Sequence, residues 1–286
     1  MEKLINRAEA VIEAMPYLRK LRDKIIVIKY GGNAMTDNSL KAKVMEDLVL
    51  LNIFGIHPVL VHGGGPDITA ELKKNKIEVK FIEGLRYTDE ETMKVVEKVL
   101  GKLNGQIVSM LNKVGRIAKG LSGKKGKLIK AQKRIIIRDG QKVDLGYVGD
   151  IKSIDAKLLS QILASGRIPV ISSIGVDKNG NTYNVNADTA ASEIAAVLKA
   201  SKLILLTNIR GVYDNKEQFI SLINAQKTRR MIKKGVITGG MIPKVRCGLF
   251  ALKNGVEKVH IIDGRIPHAI LLELFTDIGI GTMVER

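Results

Sequence analysis

The 286-residue sequence predicts an α/β protein: a three-layer sandwich in which a mostly parallel central sheet is covered by helices on both faces. Three observations carry that expectation. Continuous apolar runs at 25–29 (IIVIK), 58–61 (PVLV), 168–172 and 203–207 read as buried parallel strands. Stretches of helical periodicity alternate with them. Glycine clusters follow two of the runs, at 29–34 (KYGGNA) and 62–66 (HGGGP), the strand-end position where open α/β sheets place their ligands.

The elements follow in order. Residues 1–22 carry Leu4, Ile5, Ala8, Val11, Ile12 and Met15 on one face of an amphipathic helix that is expected to end near Pro16. Glu2, Glu9 and Glu13 argue against a membrane-surface helix, which wants basic residues opposite its apolar face, and no cleavage site follows, so a signal peptide is not predicted. The apolar stripe fits a partner helix. Residues 37–54 place Leu40, Val44, Leu48 and Leu51 at helical spacing, with Asp37 or Asn38 as cap and Gly55 as terminator, completing a βαβ unit.

A further helix is expected over 68–76 and a long one over 88–114, where TDEE reads as a capping box with Thr88 as the cap and Glu91 three residues on. Residues 127–143 alternate around RDGQ as an antiparallel hairpin, and 177–183 (DKNGNTY) mark a second one. Helices are predicted at 155–165, 187–200, 222–233, 241–253 and 268–275, and a strand at 258–263. No Pro/Ser linker or fixed repeat interrupts the chain, so both halves are expected to share one sheet.

Composition narrows the function classes. The net charge of +18 invites a nucleic-acid reading, but the lysines are dispersed, Trp is absent and aromatics total 4%. The densest basic run, 120–130 (GLSGKKGKLIK), reads as a solvated hairpin tip. A positive field also attracts small polyanions. The single Cys247 excludes an internal disulfide and reads as a small buried hydrophobe. His57, His62, His260 and His268 lack ligand spacing, so no protein-held metal is expected. With no run of roughly 18 apolar residues, a soluble, cytoplasmic protein is predicted.

The chemistry gathers at loop-to-helix junctions. Glycine frees backbone N–H groups that, near a helix N-terminus, form an anion site. Neither a P-loop nor a complete dinucleotide fingerprint is present. Taken singly, each glycine cluster reads as a tight turn or a ligand loop. Lys29 at a strand end, Lys244 opening a helix and Asp188 at another helix start fit phosphoryl transfer, where cations neutralise charge on the equatorial oxygens.

Seven segments, KYGGNAM, VHGGGP, GLRYTD, NVNADTAA, LLTNIRGVYD, TGGMIPKV and FTDIGIGTMV, occur in the order found in the amino acid kinase family. The sequence resembles that family from about residue 24 to the C-terminus, and GLRYTD with NVNAD resembles the branch that acts on N-acetyl-L-glutamate. The resemblance implies transfer of the ATP γ-phosphoryl group to a side-chain carboxylate in arginine biosynthesis. Another kinase of the family, acting on carbamate, aspartate or uridylate, is the alternative. It implies an oligomerisation helix over 1–22 and a kinase domain over 23–286, with an acidic-substrate and dimerisation lobe to about 175 and an ATP lobe from about 176.

By motif, Lys29 and Lys244 would stabilise the transition state, with Asp188 orienting both. Gly31, Gly32 and Gly64 would donate N–H groups to the phosphoryl. Gly64 and Gly65 would approach the amino-acid substrate, Arg86 would clamp its α-carboxylate and Asn184 would bind near the acetylamido group. ATP would lie near Thr207, Asn208, Gly211, Tyr213, Asp214, Gly239, Gly240 and Met241, with Mg²⁺ held mainly by phosphates and water. Asn208 stands where many relatives carry an acidic residue; a loop cap and a nucleotide contact are both open for it. The resemblance further implies a hexamer built as a trimer of dimers through the N-terminal helix, and L-arginine as an effector near Tyr17, His268, Glu273 and Gly279. The sequence carries no signal for or against a PII-type regulatory partner.

Overall fold

The computed structural model describes the whole chain save Thr36, Lys125 and Asp139; of Lys3, Arg7, Asn33, Ala34 and Arg138 it describes the backbone alone. The chain opens with α1 (Glu2–Leu21), β1 (Ile25–Tyr30), α2 (Asn38–Ile53), β2 (His57–His62) and α3 (Gly65–Lys74). A short hairpin, β3 (Phe81–Ile82) and β4 (Leu85–Arg86), leads into α4 (Glu90–Leu111). Next come β5 (Ala118–Leu121), the long hairpin β6 (Ile129–Arg138) and β7 (Gln141–Ile154), α5 (Ala156–Ala164), β8 (Ile168–Ser172), and the hairpin β9 (Ile174–Val176) and β10 (Thr182–Asn184). The second half runs α6 (Ala187–Val197), β11 (Lys202–Thr207), β12 (Val212–Tyr213), β13 (Phe219–Ile220), β14 (Leu222–Asn224), α7 (Ala225–Lys233), α8 (Met241–Lys253), β15 (Lys258–Asp263), α9 (Ala269–Leu274) and β16 (Thr282–Glu285).

Eight strands form one sheet in the order β14-β16-β15-β11-β1-β2-β8-β5. The six strands from β15 to β5 are mutually parallel, and β16 turns antiparallel against β15. Strands from both halves of the chain therefore share this sheet. Period-two alternation splits its side chains between two cores. Ile26, Ile28, Leu60 and Ile204 pack under α1 to α4 and α9, whereas Val27, Val59, Val61, Leu203 and Leu205 pack under α5 to α8. A closed four-stranded array, β10-β7-β6-β9, covers part of the second face.

Several expected boundaries move, each for a local reason. Helix α1 continues through Pro16 to Leu21, because Leu18 and Leu21 bury against the sheet and hold the helix beyond the proline. Asp37 caps α2, accepting from the Ser39 and Leu40 N–H groups. Helix α3 starts at Gly65, inside the glycine cluster. The cap of α4 is Asp89, which accepts from the Thr92 N–H; Thr88 instead donates its hydroxyl to the Arg86 carbonyl.

Residues 222–233 divide into a strand and a helix, since Leu222–Asn224 pairs with β16 before Asn224 caps α7. The basic run at 120–130 is no solvated hairpin tip. Its start is sheet strand β5, and Leu128 and Ile129 are buried, so the apolar residues outweigh the lysines; Lys125 lies outside the described residues. The hairpin around RDGQ forms as β6 and β7, with Asp139 of the turn outside the described residues. Among the described residues no helix is long and apolar enough to cross a membrane.

Candidate active site

The site lies at the C-terminal ends of β1 and β2, where glycine-rich turns meet the N-termini of α3 and α6. Strand alternation places Lys29 on the Val27 face, the side covered by α6 and α8. There Lys29 Nζ stands 3.0 Å from Asp188 Oδ1, an ion pair whose geometry leaves that oxygen short of a hydrogen bond, while Lys244 Nζ donates to Asp188 Oδ2 at 2.7 Å. Asp188 sits in the first turn of α6, whose cap Asn186 accepts from the Asp188 and Thr189 N–H groups.

Burial alone would raise the Asp188 pKa, yet the two ammonium groups prevail and hold it at about 2. Burial pushes the Lys29 pKa down, partly offset by Asp188 and reinforced by the Lys244 charge. Two cations thus share one carboxylate. Both Asp188 oxygens are taken by lysines, and no group of three His, Cys, Asp or Glu among the described residues is placed to hold a metal ion. The donor set does not make a protein-held Mg²⁺ cage here.

A cavity of about 470 Å³ opens beside the triad, bounded by Lys29, Gly31, Gly32, Gly64, Gly65, Arg86, Asn184 and the start of α6. A side chain at Gly64 would require two core leucines to shift: a Cβ there would stand 2.7 Å from Leu100 Cδ2 and 2.9 Å from Leu103 Cδ1. Gly32 takes a φ of +72°, and a Cβ on it would press on Asn208 Oδ1 at 2.8 Å. The N-termini of α3 and α6 bring positive backbone ends to the same wall.

Arg86 is buried and gripped on one side. Its Nη2 donates to Thr69 Oγ1 at 2.7 Å and to the Gly65 carbonyl at 3.2 Å, and the Phe81 ring lies 4.8 Å from its guanidinium carbon. Its Nη1 is buried with no hydrogen-bond partner among the described residues. Burial lowers its pKa. Asn184 is tied to the same corner, donating to Thr88 Oγ1 at 3.2 Å. The arrangement offers a planar cation at one end of a cavity and an ammonium pair with peptide N–H groups at the other.

The remaining expected residues fall elsewhere. Thr207 ends β11, and its hydroxyl accepts from the Ile209 N–H; Asn208 follows, against the Gly32 turn. Tyr213 is in β12, Gly211 packs against Thr282, and the Asp214 carboxylate is occupied by the Lys216 and Gln218 N–H groups of its own turn. Gly239, with φ +54°, and Gly240 lead into α8, which starts at Met241. Cys247 is only partly buried, 3.9 Å from Thr189 Oγ1, and burial raises its thiol pKa.

A second cavity, of about 700 Å³, lies on the far side of the sheet ends and gathers Tyr17, Glu273 and Gly279. His268 is not part of its wall: its Nδ1 stands 2.6 Å from Asp47 Oδ1, joining α9 to α2. Sequence reasoning missed two partners here, Lys202 and His260. The His260 ring bridges Lys202 Nζ at 3.1 Å and Glu273 Oε1 at 2.6 Å, and Glu273 Oε2 accepts from the Ile280 and Gly281 N–H groups. A lysine opening an apolar strand (KLILLT) and a histidine inside another (KVHIID) are the signals that could have found them.

Similarity to known proteins accords with this geometry. The chain is 53% identical to the acetylglutamate kinase of Caldicellulosiruptor saccharolyticus over 288 positions, covering 100% of this chain and 98% of that protein. The N-acetylglutamate synthase of Neisseria gonorrhoeae, solved with coenzyme A and N-acetyl-glutamate, superposes with a TM-score of 0.87 at 27% identity; 98% of this chain is covered, and it spans 63% of that one. The same synthase solved with coenzyme A and L-arginine gives a TM-score of 0.85 at 26% identity, with 97% of this chain covered and 65% of that one. Carbamate kinase from Giardia lamblia, bound to AMP-PNP, shares the fold at a TM-score of 0.69 and 14% identity, over 92% of this chain and 98% of that one. The family's sequence profile matches residues 24–263, and with full-length relatives of that kind the chain belongs to the amino acid kinase family.

Proposed function

We propose that the protein transfers the γ-phosphoryl group of ATP to the side-chain carboxylate of N-acetyl-L-glutamate, a step of arginine biosynthesis. The observation that carries this reading is the pairing, around one cavity, of a half-satisfied buried arginine with two lysines on a single buried aspartate. Arg86 would take the α-carboxylate through its unpartnered Nη1, and Asn184 the acetylamido group. The acceptor carboxylate, with a reference pKa of about 4.3, is already ionised at neutral pH and needs no general base.

The barrier is then the meeting of two anions. Lys29 and Lys244, oriented by Asp188, would face the transferring phosphoryl together with the N–H groups of Gly31, Gly32 and Gly64. The lobe from about residue 23 to 175 would hold the acceptor, and that from about 176 to 286 the nucleotide, along Thr207 to Asp214 and Gly239 to Met241. Mg²⁺, which offsets phosphate charge when bound, would come with the nucleotide and be held by its phosphates and water.

The second cavity is assigned to L-arginine as a feedback effector, with Glu273 and Asp277 for its guanidinium and Lys202 for its carboxylate. Leu4, Val11 and Ile12 on α1 are exposed, which favours its burial against another subunit in a hexamer of three dimers. The reading places the protein in the cytoplasm, without nucleic-acid or membrane partners.

The test is ATP-dependent acyl-phosphate formation trapped by hydroxylamine, comparing N-acetyl-L-glutamate with L-glutamate, with and without arginine. Hydroxamate is expected from the acetylated substrate and less of it when arginine is added. Equal turnover of L-glutamate would overturn the acceptor assignment.

A further inference from the structure

His62, at the end of β2, is fully buried and lies outside the triad and the arginine corner. Its ring is held at both nitrogens. Nδ1 is 2.9 Å from the Gly63 carbonyl oxygen, and Nε2 is 3.0 Å from the side-chain nitrogen of Asn104 on α4. That same amide nitrogen is 3.0 Å from the Val170 carbonyl oxygen on β8. A backbone carbonyl accepts and does not donate, so the Asn104 atom facing it must be the NH₂ group.

An amide nitrogen has no acceptor capacity, so His62 Nε2 must accept from it and the ring proton resides on Nδ1, donating to Gly63. Burial pushes the His62 pKa down to about 4, so the ring stays neutral at working pH.

The consequence falls on the next peptide. The Gly63 N–H donates to the Tyr30 carbonyl at 3.1 Å and its C=O is taken by His62, which pins the residue from both sides. No cis peptide occurs among the described residues, so across the planar unit joining Gly63 to Gly64 the N–H opposes the C=O. With the carbonyl drawn toward the buried ring, the Gly64 N–H faces away from that ring, and Gly64 lines the cavity. We propose that His62, fixed as its Nδ1–H tautomer by Asn104, is a positioning residue that aims the Gly64 N–H at the transferring phosphoryl group. This rests on the cavity being the phosphoryl-transfer site.

Two measurements test it. In ¹⁵N-labelled wild-type protein, long-range ¹H–¹⁵N spectra should place the His62 proton on Nδ1; a proton on Nε2 overturns the proposal whatever the enzyme does. In His62→Asn the carboxamide nitrogen overlays Nδ1 and keeps a donor for Gly63, whereas His62→Gln reaches the Nε2 position and His62→Leu fills the volume without a donor. His62→Asn is expected to retain the larger share of kcat. His62→Gln and His62→Leu should lose about tenfold or more in kcat, with KM for N-acetyl-L-glutamate little changed, as for a misaimed oxyanion donor.

Wild-type kcat in His62→Leu, or His62→Gln outperforming His62→Asn, overturns the proposal. Should these two variants fail to fold, the proton position in the wild-type ring decides: Nδ1–H is the result expected and Nε2–H the one that overturns the proposal. A wild-type protein that forms no acyl phosphate refutes the functional reading instead, and the tautomer alone then decides the role of His62.

Discussion

At the scale of single residues, two ammonium groups share one buried carboxylate, at 3.0 and 2.7 Å. Under the proposed reading the charge that Lys244 carries has its strongest use when negative charge spreads over the phosphoryl oxygens. Lys244→Met should therefore lower kcat by about 10²- to 10³-fold with KM less affected and the circular dichroism unchanged. Wild-type turnover in that variant would remove Lys244 from the mechanism.

These residues were legible because each sits in a short motif beside a strand end or a helix start. Arg86 was legible for the same reason, but its grip by Thr69 and its seat on Phe81 were not, since neither partner carries a motif. The His62–Asn104 contact spans 42 residues and depends on where α4 crosses the sheet, which no local pattern encodes. The Lys202–His260 pair depends on β11 and β15 lying side by side, and strand order is a property of the whole sheet.

At the scale of elements, α1 divides into two parts. Its C-terminal end is anchored by Leu18 and Leu21 in the core, while Leu4, Val11 and Ile12 stand exposed at 60%, 61% and 67%. Burying such side chains contributes roughly 1.5–3 kcal/mol each, enough to drive association when several act together. Deleting residues 1–14 spares the anchor and Tyr17. The expected outcome by light scattering is a smaller assembly, with weakened arginine inhibition and kcat retained; an unchanged mass would exclude α1 from the subunit contact.

Parallel strands and amphipathic helices were readable because continuous apolar runs and 3.6-residue periodicity each report on burial. The two-residue strands β12 and β13 were not readable, being too short to establish a period. Residues 222–224 were absorbed into the following helix because Asn224 serves both as a strand end and as a cap.

At the scale of the molecule, the chain carries a net charge of +18. Most of that charge lies on exposed lysines and arginines, so the folded state bears self-repulsion that screening relieves. Raising NaCl from about 20 mM to about 300 mM should raise Tm by a few degrees, since the Debye length falls from roughly 20 Å to below 10 Å. A Tm that falls over that range would mean that attractive surface ion pairs outweigh the repulsion. The one shared sheet was foreseen from the lack of a linker, whereas the closed array of β6, β7, β9 and β10 was not, because two ordinary hairpins do not announce that their edges meet.

The lysine pair on Asp188 has a cost that shows only when the nucleotide is away. Two cations against one anion leave an uncompensated charge in a poorly hydrated corner, where burial, reinforced by the Lys244 charge, depresses the Lys29 pKa. Resting protein thus forgoes durability in order to be ready for its substrate. Lys244→Met, the replacement expected to slow turnover, should for that reason melt at a higher temperature than the native chain.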